Sequence, residues 1–163
     1  MKKLLIVFVA VVSFITSCKK KDAPEKFSLA AGIEIHIKSP DGKNLLDPNI
    51  PGYFRSEDIN IYYLKNGVKE RVSDMLMDTP ENFRIAESEA GENYLILGVS
   101  QNPDQAGIST TYIEFNNGEF TDIVTAEIIK NSSVSYYNKV WYNNELKFDP
   151  ATMKYPTIEV VKQ

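Results

Sequence analysis

The sequence predicts an all-β domain, a single β-sandwich of about nine short strands in the immunoglobulin-like or transthyretin-like manner, behind a short apolar leader. Three observations point there. Apolar residues recur with a period of two: Ile33, Ile35 and Ile37 alternate with Glu34, His36 and Lys38, the pattern of a half-buried strand. Asn-Gly pairs stand between alternating runs at Asn66-Gly67 and Asn117-Gly118, where a tight hairpin turn needs positive φ. Strand-length runs then follow one another at a spacing of roughly 8–15 residues, and no stretch keeps the 3.6-residue period of an amphipathic helix.

The leader comes first in the chain. Lys2 and Lys3 precede an almost wholly apolar run from Leu4 to Val12, continued by Ser13, Phe14 and Ile15. Its length and flanks are those of a secretory signal, well short of the about 20 apolar residues that a membrane-spanning helix needs. It ends in Ile15-Thr16-Ser17-Cys18. An aliphatic residue, two small residues and a cysteine at that place resemble the lipobox of bacterial lipoproteins. The resemblance implies cleavage before Cys18 and acyl chains, palmitate among them, on the Cys18 thiol and the new amino group. Each buried methylene adds about 0.8 kcal/mol, so several chains hold a domain firmly to a bilayer. The chain thus divides into a signal peptide (1–17), a lipidated cysteine with a flexible tether (18–26) and a β-sandwich (27–163).

Cleavage leaves 146 of 163 residues, enough for one domain with a real core. Loss of Lys2 and Lys3 takes the formal charge from −4 to −6, which gives no electrostatic reason to bind nucleic acid. Cys18 is the only cysteine, so the domain is held by packing and not by a disulfide. Lys19-Lys20-Lys21-Asp22-Ala23-Pro24-Glu25-Lys26 reads as a solvated spacer. In lipoproteins of Bacteroidetes, acidic residues directly behind the cysteine look like a surface-export signal. Here lysines and the single Asp22 stand there, so the expectation is an outer-membrane anchor on the periplasmic face.

Within the domain, Asp41-Gly42 turns the chain after the first strand, and Asp47-Pro48-Asn49-Ile50-Pro51-Gly52 is too rich in proline for ladder pairing. The first hairpin is the best specified. A two-residue Asn66-Gly67 loop pairs Lys65 with Val68, Tyr63 with Glu70, Ile61 with Val72, and Tyr62 with Arg71 on the opposite face. Ile59, Ile61 and Val72 then face the core, and Arg71 can stack on Tyr62 outside it. Residues 74–80 break the pattern, and Phe83 to Glu87 restores it with Phe83 and Ile85 on one side. Tyr94-Leu95-Ile96-Leu97-Gly98-Val99 reads as a central strand covered on both faces, with Gly98 marking a bulge or a close backbone approach.

The second hairpin places Phe115 opposite Phe120, but its alternation slips around Ile123 and Val124, which predicts a bulge there. Asn131-Ser132-Ser133 turns the chain into a strand from Val134 to Tyr142. Asn143-Asn144 is a tight turn into Glu145 to Phe148, and Thr157 to Val161 is the last strand.

Asn44-Leu45-Leu46-Asp47-Pro48, Asp58-Ile59-Asn60-Ile61-Tyr62-Tyr63-Leu64, Thr111-Tyr112-Ile113-Glu114-Phe115, Asp122-Ile123 and Lys139-Val140-Trp141-Tyr142-Asn143, together with the lipobox, resemble a group of small uncharacterised lipoproteins of Bacteroidetes. The likeness runs over most of the mature chain. Its motifs are strand and turn motifs, and it implies an envelope lipoprotein with no catalytic residue to transfer.

The residues give little chemistry. His36 is the one histidine and lies on the polar side of a strand, read as solvated; no G-x-S-x-G elbow accompanies it. A zinc site needs several His or Cys ligands, so no metal or other cofactor is expected. Phosphate-binding glycine loops are missing from the sequence. Paired carboxylates could serve glycoside hydrolysis, but 22 acidic residues place some pair together by chance. Asp41, Asn44 and Asp47 stand at loop spacing for calcium without the rest of an EF-hand pattern. The aromatics are the suggestive feature. On strand 134–142, Val134, Tyr136, Val140 and Tyr142 read as core, which turns Tyr137 and Trp141 outward, roughly 13 Å apart. With Tyr62 nearby they could form a platform for sugar rings or another protein. Three readings follow in order: a non-enzymatic accessory module contacting an envelope protein, a glycan- or peptide-binding lipoprotein using Tyr62, Arg71, Tyr137 and Trp141, and a carboxylate hydrolase.

Overall fold

The computed structural model describes residues 27–28, 32–75, 78–130 and 134–162. The expected signal peptide and tether, Cys18 and the turn expected at 131–133 lie outside the described residues. Among the described residues eleven strands build two sheets. They are β1 (Phe27–Ser28), β2 (Ile33–Lys38), β3 (Asn60–Lys65), β4 (Val68–Arg71), β5 (Phe83–Glu87), β6 (Asn93–Leu97), β7 (Ile108–Phe115), β8 (Phe120–Lys130), β9 (Ser135–Tyr142), β10 (Glu145–Phe148) and β11 (Thr157–Val161). The larger sheet runs β1-β9-β8-β7-β3-β4, with β10 also on β9; the smaller runs β11-β2-β6-β5. Among the described residues no helix is long and apolar enough to cross a membrane.

The period-two pattern does the work expected of it. Ile33, Ile35 and Ile37 are fully buried, as are Leu95 and Leu97 of β6 beside them. Ile61, Ile113, Val124, Ala126 and Val140 supply the facing layer from the larger sheet. The Asn66-Gly67 turn has the paired positive φ expected of it, 52° and 80°, and the tight turn at Asn143-Asn144 has 49° and 68°. Asn117-Gly118 instead lies in a longer loop with a 3-10 turn over Asn116–Gly118, positive φ starting already at Asn116, although Phe115 still stands opposite Phe120. The first hairpin has the register read from the sequence, Lys65 opposite Val68 and Tyr62 opposite Arg71. Val72 closes it, its N–H donating to the Ile61 carbonyl at 2.8 Å.

Three details differ from the sequence reading, and a fourth lies outside it. First, β8 keeps one register with β7 from Phe120 to Glu127, so there is no bulge at Ile123. The apparent slip arises because the inward residue at that end is a buried aspartate, Asp122. Second, the bulge lies in β9, where Lys139 pairs with Glu127 but Tyr137 pairs with Ile128, leaving Asn138 as the extra residue. Third, β6 is internal to its sheet but buries one face only, Tyr94 and Ile96 being partly exposed. Fourth, β11 joins β2 in parallel, Ile158 beside Ile35.

Three tyrosines point inward with consequences for pH. Burial raises the phenol of Tyr63, of Tyr137 and of Tyr142 above the ordinary tyrosine value, and the Asp122 carboxylate beside Tyr142 raises that one further. An unfolded chain loses phenolic protons near pH 10, while the folded chain keeps them. The native state therefore binds more protons than the unfolded one in that range, and stability falls as pH climbs past about 10. Thermal melts should show a level Tm below roughly pH 9 and a steep decline above it. A Tm that stays level through about pH 11 would contradict this burial.

Candidate functional site

The larger sheet packs one face on the core and leaves the other outward, and that outer face is where the aromatic residues gather. Its composition follows from register. Tyr62 pairs with Tyr112 and Tyr112 with Ile123, so these three form one row across β3, β7 and β8. In the next row Thr110 pairs with Thr125, Thr125 with Trp141 and Trp141 with Leu146. Leu64 follows Tyr62 outward on β3. Tyr62, Leu64, Tyr112, Ile123 and Trp141 are partly exposed and Leu146 is exposed. From β3 to β10 the band crosses four strand spacings, roughly 19 Å.

Sequence reasoning placed Tyr62 and Trp141 here correctly and Tyr137 wrongly. Tyr137 is 2 % exposed and belongs to the core. The Asn138 bulge reverses the alternation of β9 on its N-terminal side, so Tyr137 turns in and Tyr136 out, while Val140 and Tyr142 beyond the bulge keep their inward places. The glutamate opposite stabilises that kink, as Asn138 Nδ2 donates to Glu127 Oε2 at 2.8 Å. Arg71 also goes elsewhere than expected. Its Nη2 meets Glu81 Oε1 at 3.0 Å, and the cation over Tyr62 is Lys69, whose Nζ lies 4.5 Å from the Tyr62 centroid and 4.9 Å from that of Tyr112. Glu114, the outward neighbour of Tyr112 on β7, holds the Lys69 ammonium. Tyr112 and Lys69 were missed, although the pairing of Phe115 with Phe120 already sets Tyr112 outward.

A second surface lies at the rim. Beside β5, an edge strand of the smaller sheet, a groove of about 600 Å³ opens, lined by β5 and by the segments that precede β3 and follow β4. Phe83 and Ile85 of β5, Pro80 and the exposed Met75 give it an apolar lining, with Glu57 and Glu81 at its sides. β1 is at the other end of the larger sheet's strand order from β4.

Other sequence candidates do not converge. Asp41 Oδ2 meets Lys43 Nζ at 2.7 Å, and hydrogen bonds from Lys43 and Ser39 hold its carboxyl below the usual range. Asn44 Oδ1 accepts from the Leu46 N–H at 2.9 Å, and Asp47 Oδ1 accepts from the Asn49 N–H at 2.9 Å. Each serves its own turn, and no group of three or more His, Cys, Asp or Glu placed to hold a metal occurs among the described residues. His36 faces outward on the smaller sheet but is not freely solvated. Its side chain is 17 % exposed, stacks on Tyr94 at 5.4 Å and lies 3.9 Å from Glu92.

One buried polar cluster escaped the sequence reading. Asp122 on β8 receives Lys162 Nζ at 2.5 Å, Asn143 Nδ2 at 2.9 Å and the Tyr142 hydroxyl. Lys162 follows β11, so this cluster clasps the smaller sheet to the larger. Its ammonium lies 4.7 Å from the Phe115 ring centroid. Every polar group in the clasp already has its partner in a neighbour, which suits holding two sheets together.

No family model matches this chain, and neither a curated protein nor a solved structure does.

Proposed function

We propose that this chain is a lipid-anchored accessory module of the bacterial envelope, held to the outer membrane through acylated Cys18 on the periplasmic face, and that it works by contact and not by bond-breaking. The observation that carries the reading is the apolar groove beside β5. This strand is an edge of the smaller sheet. Such an edge can take an extended segment of an envelope protein as an added strand, with backbone bonds giving affinity and the Phe83 and Ile85 side giving selectivity.

The rival readings draw less support. A glycan platform built on Tyr137 and Trp141 loses Tyr137 to the core. A carboxylate hydrolase needs acids aimed into a pocket, whereas the most buried acid, Asp122, is fastened by Lys162, Tyr142 and Asn143.

A photo-crosslinking residue in place of the exposed Arg84 on β5, in cells carrying the native lipoprotein, tests this. A discrete adduct with an envelope protein is expected, absent when the probe replaces the exposed Gln105, on a loop that does not line the groove. The reading fails if both probes give the same adducts or neither gives any.

A further inference from the structure

We propose that the outer face of the larger sheet rests on the bilayer that holds the anchor, with Tyr62, Tyr112 and Trp141 at the level of the lipid headgroups. This rests on the lipid-anchor reading above and adds which way the domain faces.

Reach is the first argument. Eight residues stand between Cys18 and Phe27, so the tether spans at most about 30 Å. Phe27 begins β1, an edge strand of this same sheet. A tether no longer than a small domain keeps the sandwich against the membrane surface, and the sheet that receives the tether is the one that carries the aromatic band. Side-chain chemistry is the second. Tyrosine and tryptophan join an apolar ring to a polar tip, and such residues favour the boundary between hydrocarbon and water. Here they stand with Ile123, Leu64 and Leu146 on one surface.

Charge is the third. The mature chain is acidic, yet the outward charges of this face are Lys69, Arg71 and Lys139 against Glu114 and Glu127, with Glu81 on Arg71 and Asp149 beside Lys139. Most of the excess acid therefore lies on other surfaces, and this face is near neutral toward anionic headgroups. A band this size would hold a free domain weakly. On a tether, the second contact is intramolecular and needs little intrinsic affinity. The groove beside β5 is then left to protein.

Trp141 is the only tryptophan, so the indole emission of the whole chain reports this face. The test uses the full lipoprotein in vesicles of phosphatidylethanolamine and phosphatidylglycerol, with bromine placed either near the headgroup or near the chain ends. Shallow bromine should remove most of the Trp141 emission and deep bromine little of it. An Ile123→Asp variant, changed at an outward position, should recover most of the emission lost to shallow bromine. Equal emission with and without bromine, while mass spectrometry finds Cys18 acylated, overturns the orientation and leaves the anchor standing. An unmodified Cys18 removes the anchor and the orientation together. Shallow quenching unchanged by Ile123→Asp, or quenching that needs added envelope protein, also overturns it.

Discussion

Asp122→Ala is expected to cost the domain about 3–5 kcal/mol, the largest loss of any single polar substitution in it. The reason is what stays behind. Lys162 has a side chain only 11 % exposed, and Asp122 is its partner at 2.5 Å. Without the carboxylate, an ammonium is left nearly buried against Phe115 and Phe120, and the Tyr142 hydroxyl and Asn143 amide lose their acceptor. For a domain of this size the midpoint of thermal unfolding should fall by roughly 10 °C. Lys162→Met should cost less, about 2 kcal/mol, because Asp122 keeps two donors. Replacing the unit together, by Asp122→Leu, Tyr142→Phe and Lys162→Met, should recover much of the loss, since apolar residues of similar volume often match a buried ion pair. Melts of the three variants check the order. If Lys162→Met proves as damaging as Asp122→Ala, a carboxylate left without its ammonium costs as much as an ammonium left without its carboxylate, and the two remaining donors do not offset it.

The same cluster shows where a sequence stops being legible. Hairpins are local, and Asn66-Gly67 and Asn143-Asn144 stated their own geometry because positive φ at two successive residues has few solutions. Period two then set which residues of β2, β3 and β7 face inward. What period two cannot show is an inserted residue. Asn138 carries no mark that distinguishes a bulge from an ordinary strand position, yet it moved Tyr137 from the outer face to the core. Nor can it show a polar residue on the inward side. Asp122 broke the alternation of β8 and looked like a register error, because its partner Lys162 is 40 positions away in the chain. The parallel pairing of β11 with β2, more distant still, left no local trace. The outer face was half legible for the same reason. Tyr62 and Trp141 sit on regular stretches, while Lys69 over Tyr62 and Tyr112 depends on a third strand.

Gly98→Ala should destabilise the domain by about 3 kcal/mol, although the position has no unusual φ to protect. The glycine is needed for closeness. A Cβ there would lie 2.5 Å from Asn82 Cγ, inside the volume of the amide. A side-chain end can often swing away cheaply, but this one is held on two sides. Its backbone carbonyl accepts the Gly98 N–H at 2.8 Å, and its Nδ2 donates to the Tyr63 hydroxyl. That hydroxyl in turn donates to the Gly98 carbonyl at 3.0 Å, which closes a ring of bonds between β3 and the end of β6. A methyl group at position 98 must expel the amide, so it adds overpacking to a lost hydrogen bond in a partly buried place. Asn82→Gly in the Gly98→Ala background should restore a large part of the stability, for two reasons. It removes the obstructed amide, and it places glycine where φ is 54°. The double-mutant cycle should therefore show a coupling of about 1–2 kcal/mol between positions 82 and 98. Additive losses across that cycle would mean that the two residues do not meet as described, and the reading of Gly98 as a point of close approach would fall with them.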